Sequence, residues 1–523
     1  MGRKLIKNPI LFLVLLAFVF FVITPLAYTI GTTLISVNLL SNVLLLLNID
    51  TLLLLGKSVV ISFSIALLST LAGTLLGFIT YKTNTKYKSF FKIILLLPLF
   101  ISPYILAVAW KDFFYLLFNN TGVVSSYYGV IIVLTTIFTP LPMLITGNAL
   151  SNINAQLEEV GLLTTSRFRV IVSITLPLIK PAIISSFILV FVFSISEFSV
   201  PAFFGVKVIT TEIFTQFSAF YNHSLAILQS TLLVTICIVM LFSERKYLAN
   251  APFLSVGDRG TKQFFFKSIT SVNLIILFGW LLLSVLIPII TLLVQSTING
   301  TEKLVQAFDL LIPTMSNSIW LAIMGAIIIV IIGFAAAIFS TSKKLIRVGN
   351  MFNALLLLTF AIPSTVLGIS LIKFYNQPGL DIIYSSFAII LIGYVGKFSF
   401  ISAKLIENAI KRIPKSLDES AQIIGITYTN RLRSILLPLI TPTLFIAFLI
   451  SFIFSIGELG TTIMLYPPGT EIMPIKVFTI MANAPQSLTS SMALIVFSVT
   501  LLLIIGFYIS ANYLINKTNV YDD

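Results

Sequence analysis

The sequence is short of charge. Only 10% of its 523 residues are Asp, Glu, Lys or Arg, against 58% hydrophobic, and the mean hydropathy is +1.08. No soluble domain has that balance, so the chain reads as a polytopic membrane protein. A single cysteine, Cys237, excludes an intramolecular disulfide, and a single histidine, His223, excludes a His-rich metal site. No G-x-x-x-x-G-K-[ST] run occurs, so the loop that would cradle the phosphates of ATP is missing. No motif supports enzyme chemistry, and no catalytic residue, cofactor or metal is assigned. Acids are scarce, 18 against 32 basic residues, for a net charge of +14. The basic residues lie in short clusters between apolar runs, as topology signals do, so a nucleic-acid partner is not expected.

What the chain has in plenty is apolar length. Windows of about 20 residues, enough to cross a bilayer core, fall near 10–31, 52–80, 90–118, 128–148, 178–200, 226–243, 270–295, 316–340, 352–372, 382–403, 439–465 and 491–514. The expectation is twelve helices, because a segment in lipid must satisfy its own backbone hydrogen bonds. The run "NPILFLVLLAFVFFVITPLAYTI" is read as a retained first span rather than a cleaved signal. With the N-terminus cytoplasmic, 25 Lys and Arg residues fall on the cytoplasmic side, six on the other, and Lys397 inside a span. A missed or invented span would pull that split toward even, so it supports both the count and a cytoplasmic location for both termini.

The two halves repeat. At a shift of 260, Gly73 falls on Gly333 and Pro103 on Pro363; at 261, Glu158 falls on Glu419, Ile174 on Ile435, Leu176-Pro177 on Leu437-Pro438, Pro181 on Pro442 and Glu197 on Glu458. The expected organisation is a first six-helix half at 1–250, a cytoplasmic linker at 251–268 and a second half at 269–523. Six spans separate equivalent points, so the copies share an orientation, with a pseudo-twofold axis along the membrane normal. Gly73 with Gly77, and Gly333 with Ala337, have the small-xxx-small spacing that lets helices approach closely.

One loop is charged beyond what insertion needs: "DESAQIIGITYTNRLRSILLPLITP", Asp418 to Pro442. Pro414 discourages helix upstream, Ser416 and Glu419 fit a capping box, and Gly425 suits a left-handed stop, predicting a helix over 417–424. A second segment with Arg431 and Arg433 then leads back to the membrane at Pro438. A weaker copy, with its own prolyl return at Pro177, lies at Glu158 to Pro181.

Glu419-Ser-Ala421, Gly425 and Ile435-x-Leu437-Pro438 resemble the E-A-A-x3-G-x9-I-x-L-P loop of permeases in binding-protein-dependent ABC importers. The resemblance implies an all-α fold of two tandem six-helix importer permease repeats. It also implies that Glu419, Ala421 and Gly425 shape a helix docked into an ABC ATPase subunit, with Ile435, Leu437 and Pro438 anchoring its return. In the first copy Glu158, Ile174, Leu176 and Pro177 match, while Glu159 and Val160 replace the alanines and Thr164 the glycine, so that loop is expected to turn differently. Implied partners are an ATPase dimer, an extracytoplasmic substrate-binding protein and the bilayer of the cell membrane. Two fused halves look like the ferric-iron permeases, with the thiamine and phosphonate permeases as alternatives.

Glu197 and Glu458 sit roughly 20 residues beyond the prolines, toward the outer ends of their spans. Either they face the pathway and favour a cation, or each caps an adjacent broken helix or pairs with backbone N–H groups. Lys397 is expected to snorkel to the cytoplasmic surface or to meet an acid. Asp112 is expected to pair with Lys111 or face water, and His223 to be a solvated loop residue. A 6+6 plan also suits a secondary transporter. That class gives no use to paired structured loops after the fourth span, and its expected Gly-Asp-Arg-Gly-like loop after the second span reads "YKTNTKYK" here; "GDRG" occurs only in the linker, at Gly257–Gly260. A membrane scaffold or lipid-modifying enzyme would need interfacial polar clusters, and none is apparent.

Overall fold

A computed structural model describes residues 9–35, 39–248, 264–266, 270–298, 300–342 and 345–519. The clusters Arg3-Lys4 and Lys343-Lys344, the "GDRG" run and most of the linker lie outside the described residues. The described chain is helical, and its one extended pairing is a parallel bridge between Thr83 and Phe266. Among the described residues, ten helices are long and apolar enough to cross a membrane. They are Pro9–Leu34, Ile49–Lys82, Tyr127–Ser151, Arg167–Ser196, His223–Leu241, Thr270–Thr297, Glu302–Thr341, Ala388–Arg412, Leu432–Gly457 and Gln486–Phe507. Two further pairs, Lys88–Phe100 with Pro103–Phe118 and Ile346–Ala361 with Ser364–Tyr375, bend by 95° and 105°, which gives twelve spans if each pair counts as one.

The bent pairs correct the expectation of continuous helices at 90–118 and 352–372. Proline cannot donate its N–H, and it forces the residue before it out of the α region. Ser102, before Pro103, has ψ 135°, and Ile362, before Pro363, has ψ 129°. The prolines matched at a shift of 260 are therefore a repeated structural break.

Four other prolines are accommodated without a break. Val19–Ile23, Ile171–Thr175, Leu282–Leu286 and Leu432–Leu436 are single π turns, each followed by one residue and then a proline: Pro25, Pro177, Pro288 and Pro438. A π turn widens the helix where the ring would clash with the carbonyl one turn back. The first and fifth spans of each repeat carry one each, so the segment with Arg431 and Arg433 is not separate from the membrane helix. It runs unbroken into Leu437–Gly457.

The described fold divides into two compact units. One comprises Met1–Ser36, Val305–Ala484 and Ile495–Asp523; the other comprises Val37–Leu304 and Pro485–Leu494. The first span of each repeat is thus assigned to the unit built mainly from the other repeat. In the first unit, Tyr375 donates to the Phe21 carbonyl at 3.0 Å, and Phe12 meets Phe339 and Phe352 edge to face. In the second, Leu277, Leu281 and Val285 pack with Leu76, Ile79, Phe91, Leu95 and Met143. Small residues allow helices to approach closely. A Cβ on Gly73 would lie 2.6 Å from the Thr139 carbonyl, and one on Gly333 would lie 2.8 Å from the Ala403 nitrogen, so both positions require the missing side chain.

Candidate functional site

The second charged loop forms a helix at Lys415–Ile423, starting early enough to put Ser416 inside the first turn rather than at the cap. Its end is as the sequence suggests. Gly425 has φ +83°, and the Ile426 N–H returns to the Ala421 carbonyl at 3.0 Å, a Schellman closure. Ala421 is buried, Glu419 exposed, and Ile423 and Ile424 are 86% and 78% exposed at the helix tip. Exposed isoleucines beside a polar helix, away from the apolar spans, form a small apolar patch suited to a protein partner.

The first loop forms Ala155–Thr164, capped by Asn154, whose Oδ1 accepts the Gln156 N–H at 3.1 Å. It ends without a left-handed residue: Thr165 is extended, with φ −151°, and its N–H reaches the Gly161 carbonyl. The turn therefore differs from that of the second loop, as the missing glycine requires. Leu163, at the place of Ile424, is 85% exposed, and Phe168 is exposed beyond it. Glu158 has no exposure. Its carboxylate pairs with Lys82 and accepts from Thr175.

The Ile-x-Leu-Pro elements occupy equivalent places. Ile174 and Ile435 lie in the π turns, Leu176 and Leu437 follow them, and Pro177 and Pro438 come next. The motif is thus the sequence form of a π turn fitted around a proline.

At the far ends of these spans, Glu197 and Glu458 end the helices in extended conformation. Glu197 Oε1 accepts the Ser199 N–H at 2.8 Å and the Ser199 hydroxyl; Glu458 Oε1 accepts the Thr461 N–H at 2.8 Å. Thr210 and Thr462 hydroxyls donate to the two main-chain carbonyls at 3.0 and 2.7 Å. Each carboxylate thus accepts a backbone N–H at the start of the short helix after the break. The repeat extends further: Ser58 Oγ accepts the Ile209 N–H at 2.9 Å, and Ser318 Oγ the Met473 N–H at 2.7 Å.

Lys397 and Asp112 lie elsewhere than expected, whereas His223 is exposed as expected, at the start of a helix rather than in a loop. Lys397 is buried and does not snorkel. Its ammonium donates to the Ile362 carbonyl at 2.8 Å and the Phe360 carbonyl at 3.5 Å, at the bend before Pro363, where the helix leaves carbonyls unpaired. Asp112 is buried rather than facing water. It accepts from Ser490, while the Lys111 ammonium lies over the Phe203 ring. His223 opens a helix with its ring 4.5 Å from that of Phe217. Sequence reading also missed Glu407, which binds Lys404 and Lys411 at 2.9 and 2.6 Å and accepts from Asn353 at 3.0 Å. Only its i,i+3 and i,i+4 lysine spacing signalled it. No group of three or more His, Cys, Asp or Glu side chains that could hold a metal occurs among the described residues.

The family profile described as "Binding-protein-dependent transport system inner membrane component" matches residues 69–251 and 329–520. The chain is 24% identical over 427 residues to a "Fe(3+)-transport system permease protein FbpB 2" of Haemophilus influenzae, covering 81% of this chain and 83% of the relative. It is 23% identical to a "Ferric transport system permease protein FbpB" of Actinobacillus pleuropneumoniae, covering 80% and 65%. A "Putative 2-aminoethylphosphonate transport system permease protein PhnV" of Salmonella typhimurium is 28% identical over 143 residues, 27% of this chain and 54% of that protein.

Proposed function

The chain belongs to the family of inner membrane components of binding-protein-dependent transport systems, and on that premise we propose that it is the fused, two-half permease of an ATP-driven importer of ferric iron. Its functional halves are 1–250 and 269–523, joined by the linker at 251–268. The observation that carries the docking part is the pair of short helices after the fourth span of each half, each with an exposed apolar tip, Leu163 in one and Ile424 in the other. The basic residues around them support a cytoplasmic side for both loops and both termini.

The mechanism is alternating access. A soluble binding protein delivers substrate at the outer face, and two ATPase subunits engage one loop helix each. Closure of the ATPase pair favours one arrangement of the halves over the other, which supplies the differential free energy that a conformational change requires. Glu419, Ala421 and Gly425 shape the second handle. Ile435, Leu437 and Pro438, like Ile174, Leu176 and Pro177, hold the return. The chain contributes no ATP-hydrolysing site of its own.

Ferric iron is supported by likeness along four-fifths of the chain to permeases named for that ion. Glu197 and Glu458 add little to it, since each carboxylate is engaged in capping. The phosphonate alternative rests on likeness over about a quarter of the chain. The test is uptake by cells carrying the intact operon, with radiolabelled ferric iron, thiamine and 2-aminoethylphosphonate offered separately. Saturable uptake of iron alone is expected; uptake of either competitor without iron would reassign the substrate.

A further inference from the structure

The two loops that correspond in sequence are fastened by different means. Glu158 Oε2 holds the Lys82 ammonium at 2.5 Å, with 0% and 1% side-chain exposure, and Glu158 Oε1 accepts from Thr175 Oγ1 at 2.9 Å. Lys82 is the last residue of the second span, and Thr175 lies in the π turn of the fifth. Gly161 lets the loop helix lie directly on its return, since a side chain there would press on Ile174 and Val170. One buried carboxylate therefore joins three elements, and removing either charge would strand the other away from water.

The main chain at the same point carries a second tie. The Lys82 carbonyl accepts the Phe266 N–H at 2.8 Å, and Thr83 forms its bridge with Phe266. The Lys88 ammonium lies 3.9 Å over the Phe265 ring. Asn273, in the first span of the second repeat, donates to Thr83 Oγ1 at 3.2 Å and Thr85 Oγ1 at 2.7 Å. The first loop, the second span, the end of the linker and the seventh span thus converge on Lys82 and the three residues after it.

The second repeat has other residues at these places. Ser342 stands where Lys82 would fall at a shift of 260, Leu436 where Thr175 would fall at 261, and Glu419 is exposed where Glu158 is enclosed. Glu407 ties the span before the second loop to Asn353, but it lies upstream of the loop helix.

We propose that Lys82 is a positioning residue that makes the first loop one rigid body with the second span, the linker strap and the seventh span, whereas the second loop presents an exposed Glu419 to its partner. The two handles are then unequal: the first passes force to the start of the second repeat through Lys82, and the second has Glu419 exposed at the matching place. This rests on the reading of both loops as ATPase handles, but the rigid body itself needs no ATPase.

Hydrogen exchange on the full chain in lipid nanodiscs, without ATPase, tests it. Amides of 155–164 are expected to exchange roughly tenfold or more slowly than those of 415–423. Lys82→Met and Glu158→Gln are expected to remove that difference while leaving 415–423 unchanged, and the double variant Lys82→Glu/Glu158→Lys to restore it. Equal exchange in the wild-type protein, or no response to the variants, would overturn the proposal. Should Lys82→Met fail to fold, Glu158→Gln decides, because it keeps shape and the Thr175 contact. In the reconstituted importer, Glu158→Gln is expected to lower substrate moved per ATP hydrolysed while the ATPase still copurifies. An unchanged ratio would overturn the force-passing role. Failure of the wild-type chain to retain an ATPase would count against the docking reading and leave the exchange result to judge the rigid body.

Discussion

Lys397 shows how a charge is tolerated deep in a bundle. Its ammonium sits on carbonyls that the bend at Pro363 deprives of helical partners, so one unfavourable feature offsets another. Lys397→Met would leave those acceptors unsatisfied at a cost of about 1–3 kcal/mol. The expected result is a lower unfolding temperature in detergent, read by the fluorescence of the native tryptophans, with membrane insertion unchanged. Lys82→Met removes one side of a buried pair and should cost more, about 3–5 kcal/mol. Gly425→Pro cannot supply the left-handed residue that closes the second loop helix, and is expected to abolish uptake while the protein still inserts. The motif place of Glu158 was legible in the sequence; its burial was not. Its partners lie 76 and 17 positions away in the chain, and neither spacing belongs to a local motif.

At the scale of elements, six of the prolines divide into two kinds. Pro103 and Pro363 break their helices, whereas Pro25, Pro177, Pro288 and Pro438 each follow a π turn that keeps the helix whole. Hydropathy windows located nearly every span, because apolar length is a property of composition. They could not show the two sharp bends, because composition is the same on both sides of a bend. The repeated prolines were visible, but which kind each was depends on the backbone just before it. A π turn holds one extra residue, so its loss would rotate everything upstream by roughly 100°. Pro438→Ala restores an N–H and permits that relaxation. It is expected to reduce uptake severalfold at undiminished thermal stability, with the second loop helix turned relative to its span. Engineered cysteine pairs across residues 420–440 would report the turn, on a background lacking the buried Cys237. Retained uptake with unchanged pairing would show that the π turn is not needed for coupling.

For the whole molecule, duplication explains most of the plan. The bends, the π turns, the capping glutamates and the serines at 58 and 318 all recur, so each repeat is the same device built twice. Such matched pairs were readable as residues at a constant shift, although what each pair does required the backbone around it. The assignment of each first span to the unit of the other repeat was not readable, since both spans are predominantly apolar and carry no signal of their neighbours. Close packing within a unit is testable through Gly73→Val, which must displace the Thr139 backbone and should cost about 1–3 kcal/mol, seen as a lower unfolding temperature. The central claim is that a separate ATPase drives this permease through its loop helices. It is tested most directly by ferric-iron uptake into proteoliposomes holding the permease with the ATPase and binding protein of its operon, comparing wild type with Glu419→Lys. The account predicts ATP-dependent uptake by the wild type and none by Glu419→Lys, with equal permease in the membrane; wild-type uptake without ATP, or equal uptake by Glu419→Lys, would contradict it.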